Sequence, residues 1–202
     1  MAQRTVVWFS CGAASAVAAK LAVSSRPDVH VVYCDTSASE SPDNPRFMRD
    51  VEQWIGQKVK IIKSDKYSSV NDVIERTRYM SGIGGARCTV ELKKIPRFAF
   101  QQPDDIHVFG LTYDEGPRIE RFAANNHDLQ LWWILRDERL TKNACLTRIK
   151  TAGIELPILY RQGYRNNNCI GCVKATSADY WNKIRHDYPD VFASRAQQSR
   201  EL

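Results

Sequence analysis

The sequence predicts an α/β protein: an open, mostly parallel five-stranded sheet flanked by helices. Three observations predict it. Short apolar runs recur along the chain, stretches with helical spacing separate them, and the turns after the runs are rich in small residues. Strands that alternate with helices pair in parallel through right-handed crossovers. With 202 residues, the chain has the length of one domain with a small appendage. We divide it into an α/β domain over 1–156 and a cysteine-containing loop with a helical tail over 157–202, packed on the same domain.

Each element follows from its residues. Thr5–Phe9 is a short apolar run bounded by a turn and reads as a buried strand. The alanine-rich stretch Gly12–Ser24 follows as a helix. Val29–Tyr33 is the second strand. A helix opens near Pro45, a residue favoured in the first turn because its missing N–H costs nothing there. Phe47, Val51, Trp54 and Ile55 give that helix one apolar face. Lys58–Ile62 is the third strand, and Val70–Tyr79 the next helix. The glycine-rich loop Ser81–Cys88 then leads into a helix over Val90–Phe100. Ile106–Gly110 and Leu129–Trp133 complete the sheet, with a helix over Gly116–Asn125 between them. Thr141 caps a helix that runs to Ala152. The tail, Tyr180–Arg200, is helical with a break at Pro189.

Composition narrows the class. Apolar residues make up 43% and charged residues 26%, as in a folded domain and unlike a disordered chain. The longest apolar stretch, Ala13–Val23, is interrupted by Ser15 and Lys20, so no transmembrane helix is expected. The N-terminus has no apolar leader pattern, and a cytoplasmic location is expected. A net charge of +6 suits an anionic partner, a nucleotide or a nucleic acid. Six cysteines are too few for a disulfide scaffold of this length, so clustered ones point to metal or redox chemistry.

Two stretches carry chemistry. In Ser10-Cys11-Gly12-Ala13-Ala14-Ser15, small residues between the first strand and first helix let the backbone approach a ligand. The free N–H groups and dipole of the helix start then favour a phosphate. No Gly-Lys-Ser/Thr follows, so this is not a Walker A loop. Ligands of open α/β sheets bind beyond the carboxyl ends of the strands, where Asp35, Thr36 and the Gly110–Glu115 stretch are also expected. The second stretch is Cys169-Ile170-Gly171-Cys172. Two thiolates at this spacing bind one metal or cluster, and Cys88 in its glycine-rich loop is the obvious third ligand. Cys34 and Cys145 read as small buried hydrophobes.

Together these residues resemble the phosphoadenosine phosphosulfate (PAPS) reductase family, within the PP-loop ATP pyrophosphatases. Ser10–Ser15 is similar to the PP-loop Ser-Gly-Gly-x-Asp-Ser, and Asp35-Thr36 to the Asp/Asn-Thr after strand two. Arg87-Cys88-Thr89 with Leu92-Lys93 and Pro96 resembles the Arg-x-Cys-Thr-x-x-Leu-Lys-x-x-Pro block. Gly110–Glu115 with Arg118 and Arg121 is similar to Gly-x-Arg-x-x-Glu-Ser-x-x-Arg. Pro157, Leu159-Tyr160, Gly163 and Cys169–Cys172 match the closing cysteine block.

There are departures. Ala14 stands where the family has Asp, Cys11 where it has Gly, and Thr112 where Arg is common. No cysteine follows Cys172, whereas sulfonucleotide reductases carry a catalytic tail cysteine. Three cysteine ligands resemble the arrangement of PP-loop tRNA thiolation enzymes, which hold a [4Fe–4S] cluster with one open iron.

The resemblance implies an enzyme that binds ATP or a related adenine nucleotide with Mg²⁺, carries a [4Fe–4S] cluster on Cys88, Cys169 and Cys172, and adenylates an acceptor for sulfur transfer. Zinc is the alternative metal. Ser10, Gly12, Ala13, Ser15 and Gly110 would contact phosphate. Asp35 and Thr36 would hold adenosine or ribose, and Lys93, Arg118 and Arg121 would neutralise phosphate charge. The acceptor would be a nucleic acid or a small molecule, with a sulfur donor as further partner. Two alternatives stand beside this reading. One is a sulfonucleotide reductase using Cys11 or another protein's thiol, with a thioredoxin-like reductant. The other is a nonenzymatic nucleotide or nucleic-acid binding module with a structural metal.

Overall fold

The computed structural model describes residues 3–202. Strands run in chain order as β1 (Thr5–Phe9), β2 (Val29–Cys34), β3 (Lys60–Ile62), β4 (Ser81–Gly82), β5 (Gly85–Ala86), β6 (Ile106–Phe109) and β7 (Gln130–Trp132). The chain divides into two compact units. The first comprises the residues up to Cys34, Asp43–Ile62 and Phe100–Asn167; the second comprises Asp35–Pro42, Lys63–Ala99 and Asn168–Leu202.

The first unit contains a five-stranded sheet in the order β3-β2-β1-β6-β7, parallel at every pairing. It is the expected α/β sheet. Every residue of β1 is buried, as the apolar run Val6–Phe9 requires of a central strand. The helix Ala13–Ser25 covers one face, its small Ala16, Ala18, Ala19 and Ala22 allowing close approach to the sheet. Phe47, Val51 and Ile55 of the helix Asn44–Ile55 add to the same core. Truncating a phenylalanine with no exposed surface such as Phe47 to alanine costs about 3–5 kcal/mol. On the other face, Trp8 stacks on His107 and Phe109 and donates its indole N–H to His107 Nδ1 at 3.1 Å. Arg4 forms a two-pronged ion pair with the buried Asp105 carboxylate, both bonds at 2.6 Å.

Edge strands are shorter than their patterns suggest. β3 starts at Lys60, two residues after Lys58, because the Val59 N–H donates to Glu52 Oε1 at 2.9 Å. β7 spans Gln130–Trp132. Two short helices, Ile134–Asp137 and Ile158–Arg161, carry too few residues to show a period in the sequence. The Thr141 cap is present: its hydroxyl accepts the Ala144 N–H at 3.2 Å, opening Lys142–Thr151.

In the second unit, the glycine-rich loop is a small antiparallel ribbon, with Ser81 opposite Ala86. The helix before it, Val70–Thr77, is capped by Ser69 and stops at Arg78, whose φ of 52° is left-handed. The helical stretch after the ribbon begins at Arg87, earlier than the spacing suggests. It widens to a π-helix over Val90–Lys94 before returning to α over Ile95–Phe100. Pro96 has no N–H to return to the Leu92 carbonyl, and the Ile95 N–H instead reaches back to Val90 O. Pro189 separates the two tail helices as expected, opening Pro189–Glu201 after Ala178–Asp187.

Candidate nucleotide site and thiol cluster

The strand order places a switch point between β1 and β6: the chain leaves β1 for β2 and β3 on one side and returns to β6 and β7 on the other. In an open parallel sheet, the crevice beyond the carboxyl ends at that point is where ligands bind. The turn after β1 and the turn after β6 meet there. Cys11 adopts φ 53°, a left-handed kink that turns the chain from strand into helix. Gly12 then occupies the N-cap position and offers no side chain to the first helical N–H groups.

Three hydrogen bonds fix this turn. The Ser10 N–H donates to Ser15 Oγ at 3.1 Å, the Ser15 hydroxyl donates to Gly12 O at 3.0 Å, and the Ser10 and Ser15 hydroxyls lie 3.1 Å apart. Ser10 is exposed while Ser15 is buried. From the β6 side, Gly110 presses backbone against backbone: a Cβ built on it would stand 2.7 Å from Ser15 N. Only glycine fits there. Ala13, expected to act through its N–H, has that group on the Tyr160 hydroxyl, which also accepts the Asn167 N–H. Burial pushes the Tyr160 phenol up, and these donors only partly offset it. Asn167 donates to Cys11 O at 2.6 Å and Asn44 Oδ1 at 2.8 Å, tying the turn to two distant segments.

Cys11 requires a correction. The sulfonucleotide reductase alternative needs it as an accessible nucleophile, but the side chain is 0% exposed and packs in the main core. The left-handed kink that opens the helix also sends this thiol inward. Arg118 and Arg121 are both exposed on the helix Gly116–Ala124, and Arg118 pairs with Glu115 at 2.6 Å. Glu115 also closes a capping box with Thr112, so Thr112 serves the backbone of this loop.

Lys142 has no counterpart in the sequence reading. Its ammonium donates to Arg165 O and Asn166 Oδ1 and lies 5.9 Å from the Tyr160 ring centre. Burial, then Arg165, lowers its pKa. A lysine just inside a helix start reads as a solvated side chain; only contacts more than twenty residues away reveal it.

Asp35 and Thr36 follow β2 directly in the chain and belong to the second unit. Asp35 Oδ1 accepts the Ser37 N–H at 3.0 Å and its hydroxyl at 2.6 Å. Buried Thr36 donates to Glu40 Oε1 at 2.5 Å. Both side chains therefore brace their own turn.

The second unit also contains Cys88, Cys169 and Cys172. Cys88 and Cys169 pack against a core of Val70, Val73, Ile74, Leu92 and Val173. The three thiols feel one another's charge: burial first, and then Cys172, raises the Cys88 thiol, while burial pushes Cys169 up to about 12. Lys93 opposes the shift at both, and Arg195 lies within the same field. Arg195 donates to Gly171 O at 3.1 Å and to Asn71 Oδ1 at 2.6 Å, holding the cysteine turn to the last helix. Gly171 has φ 65°, and a Cβ there would meet Val191 at 2.6 Å. The turn between the two cysteines thus requires its glycine. Among the described residues, no three His, Cys, Asp or Glu side chains are grouped so that they could hold a metal ion. No described helix is long and apolar enough to cross a membrane.

No protein-family model and no curated protein matches this chain. Solved structures do match. Among them is a crystal structure of PAPS reductase from Candida auris in complex with phosphate, with a TM-score of 0.57 and 13% identity over 82% of this chain and 81% of that one. At that identity the likeness is one of architecture, and the chain has the PAPS reductase-like fold.

Proposed function

We propose that this chain is an enzyme that binds an adenine nucleotide at the Ser10–Ser15 turn and uses it in sulfur chemistry. One observation carries the reading: the β1 and β6 turns meet at the switch point with only glycine tolerated at Gly110. A phosphate is the ligand that a backbone-lined helix start recognises. Ser10 supplies an exposed hydroxyl, the turn that Ser15 holds together supplies N–H groups, and the dipole of the helix Ala13–Ser25 supplies positive potential.

In the favoured form of the reaction, a carbonyl oxygen of an acceptor attacks the α-phosphorus of ATP and the bond to pyrophosphate breaks. A sulfur nucleophile then attacks the acceptor carbon, and AMP leaves with the oxygen. The N–H groups of the turn stabilise charge as it develops on the phosphate oxygens. Ala14 leaves this turn without the carboxylate of the family pattern.

Cys88, Cys169 and Cys172 are proposed to hold a [4Fe–4S] cluster, which when bound would supply an open iron for sulfur. The donors suit it in kind: three thiols, a glycine turn, and two cations, Lys93 and Arg195, to offset thiolate charge. Loading has to draw the thiols together and remove protons that burial holds in place.

The shared architecture with a PAPS reductase favours a second reading, reduction of a sulfonucleotide. There a thiolate attacks the sulfonyl sulfur and the S–O bond to the nucleotide breaks. A second thiol then releases sulfite as a disulfide forms. Buried Cys11 does not suit the attack, so a thiol of another protein, such as a thioredoxin-like reductant, would supply it.

Anaerobically reconstituted protein distinguishes the readings. ATP with a competent acceptor is expected to yield AMP and pyrophosphate, and PAPS with thioredoxin to yield sulfite only under the second reading. Tight ATP binding without either product would leave a binding module. Absence of nucleotide binding would remove the site itself.

A further inference from the structure

The second unit holds a cavity of about 290 Å³ lined by Met80, Val173, Trp181, Phe192, Arg195 and Ser199. That is the small end of the range for organic ligands, about 300–1000 Å³. Its aromatic walls are held in place. The Trp181 indole N–H donates to Ala175 O at 2.9 Å, and the Trp181 and Phe192 rings meet edge to face with centroids 6.3 Å apart. Two rings and the adaptable thioether of Met80 suit a flat apolar body. Arg195 is the one charged side chain among the lining residues.

Arg195 is only 6% exposed, and its bonds reach neutral oxygens alone. Nε donates to Gly171 O at 3.1 Å, and Nη1 donates to Asn71 Oδ1 at 2.6 Å and Gln198 Oε1 at 2.5 Å. Neither N–H of Nη2 has an acceptor among the described residues, yet Nη2 is not one of the sealed-off side-chain nitrogens that lack a partner. It is therefore the edge of the guanidinium still open to a ligand. Among the described residues no carboxylate pairs with Arg195; the groups that act on its charge are the three thiols and the Tyr180 hydroxyl, which are neutral while they keep their protons. An arginine cannot shed its own proton, so its buried charge is unfavourable until an anion joins it.

We propose that this cavity binds a small organic carboxylate, with its flat apolar body against Trp181 and Phe192 and its carboxylate on Arg195 Nη2. A single negative charge matches the single cation in the wall. A phosphate ester carries about 1.5–2 negative charges, and the excess would be buried among apolar side chains. All of these residues belong to the second unit, so the site stands whether or not a nucleotide binds at the Ser10–Ser15 turn. Because the same guanidinium holds the Gly171 carbonyl, a bound carboxylate would brace the turn between Cys169 and Cys172.

Saturation-transfer NMR titration of the full chain with phenylacetate, phenylacetamide and phenyl phosphate provides the test. Phenylacetate should bind about ten- to hundredfold more tightly than its neutral amide, the effect of one charge-assisted hydrogen bond. Phenyl phosphate should bind more weakly than phenylacetate. Ala196 also lines the cavity, and Ala196→Phe fills it without removing a bond of Arg195. That variant should lose phenylacetate binding about tenfold or more while its melting temperature holds. Arg195→Met should bring acid and amide to equal affinity; if loss of the tie to Gly171 unfolds it, Ala196→Phe and the amide comparison still decide. Equal affinity of the wild type for acid and amide, no binding of either, or binding that Ala196→Phe leaves unchanged would overturn the site. Tighter binding of phenyl phosphate than of phenylacetate would overturn the choice of a carboxylate.

Discussion

Gly110 and Ser15 lie so close that a methyl group on the first would stand 2.7 Å from the backbone nitrogen of the second. Backbone cannot swing aside as a side-chain tip can, so Gly110→Ala has to push the β6 turn away from the helix start. We expect a loss of about 1–3 kcal/mol in stability, the usual range for forcing an extra carbon into a packed contact. A drop in nucleotide affinity should accompany it. Thermal melting and calorimetry on the purified variant check both. An unshifted melting temperature would show that this contact constrains nothing.

Much of that site was legible from the sequence, and the reason is local. β1 is four apolar residues in a row after Thr5, and the small residues after it leave few alternatives to a tight turn into a helix. Gly110 was visible as a glycine at a strand end. What escaped were features set by distant partners. The fate of Cys11 depends on a left-handed φ and on the core it faces, and neither leaves a mark in a string of small residues. Lys142 acquires its meaning from residues 165 and 166, and β3 loses its first residues to a carboxylate seven positions back. Spacing rules do not reach such pairs.

Ala14, in the first turn of the helix Ala13–Ser25, invites the reverse substitution. No acidic residue occupies that turn, and Ala14 is only partly buried. Ala14→Asp should gain about 0.3–1 kcal/mol from the interaction of its carboxylate with the helix dipole. The same charge opposes a phosphate unless Mg²⁺ joins them. ATP affinity is therefore expected to fall without Mg²⁺ and to recover when it is added, a pattern the parent chain should lack. Titration in EDTA and in excess Mg²⁺ measures it, and identical behaviour of the two proteins would contradict it.

The Arg4–Asp105 pair sets the response to acid. Burial pushes the Asp105 carboxyl up, but the Arg4 guanidinium and the Gln102 N–H together outweigh it and hold its pKa below the ordinary 3.8. Such a group contributes stability above its unfolded pKa, and the contribution is lost as pH falls through the folded value. Asp105→Ala should cost about 3 kcal/mol at neutral pH, because the part-buried Arg4 loses both bonds. The gap between the two proteins should narrow below about pH 4. Urea titrations at pH 7 and pH 3 test this, and a gap that stays constant would assign the stabilisation to something other than this charge.

The thiols set the response to base. Burial pushes Cys169 up to about 12 and Cys145 up to about 11, against an ordinary value of 9.0, and Cys88 moves in the same direction. The folded chain keeps these protons where the unfolded chain releases them, so more protons are bound when folded. Stability is then fully present below pH 9 and falls as pH rises from about 9 toward 12. Cys169→Ala should flatten that decline, although loss of the packed sulfur lowers stability at neutral pH. Denaturant midpoints at pH 8 and pH 10.5 separate the two effects, since the packing loss is the same at both. The same protons hinder metal loading at neutral pH, so iron uptake by the apoprotein should be faster at pH 9 than at pH 7. A parallel decline of parent and variant above pH 9 would show that the Cys169 proton is not the one being lost.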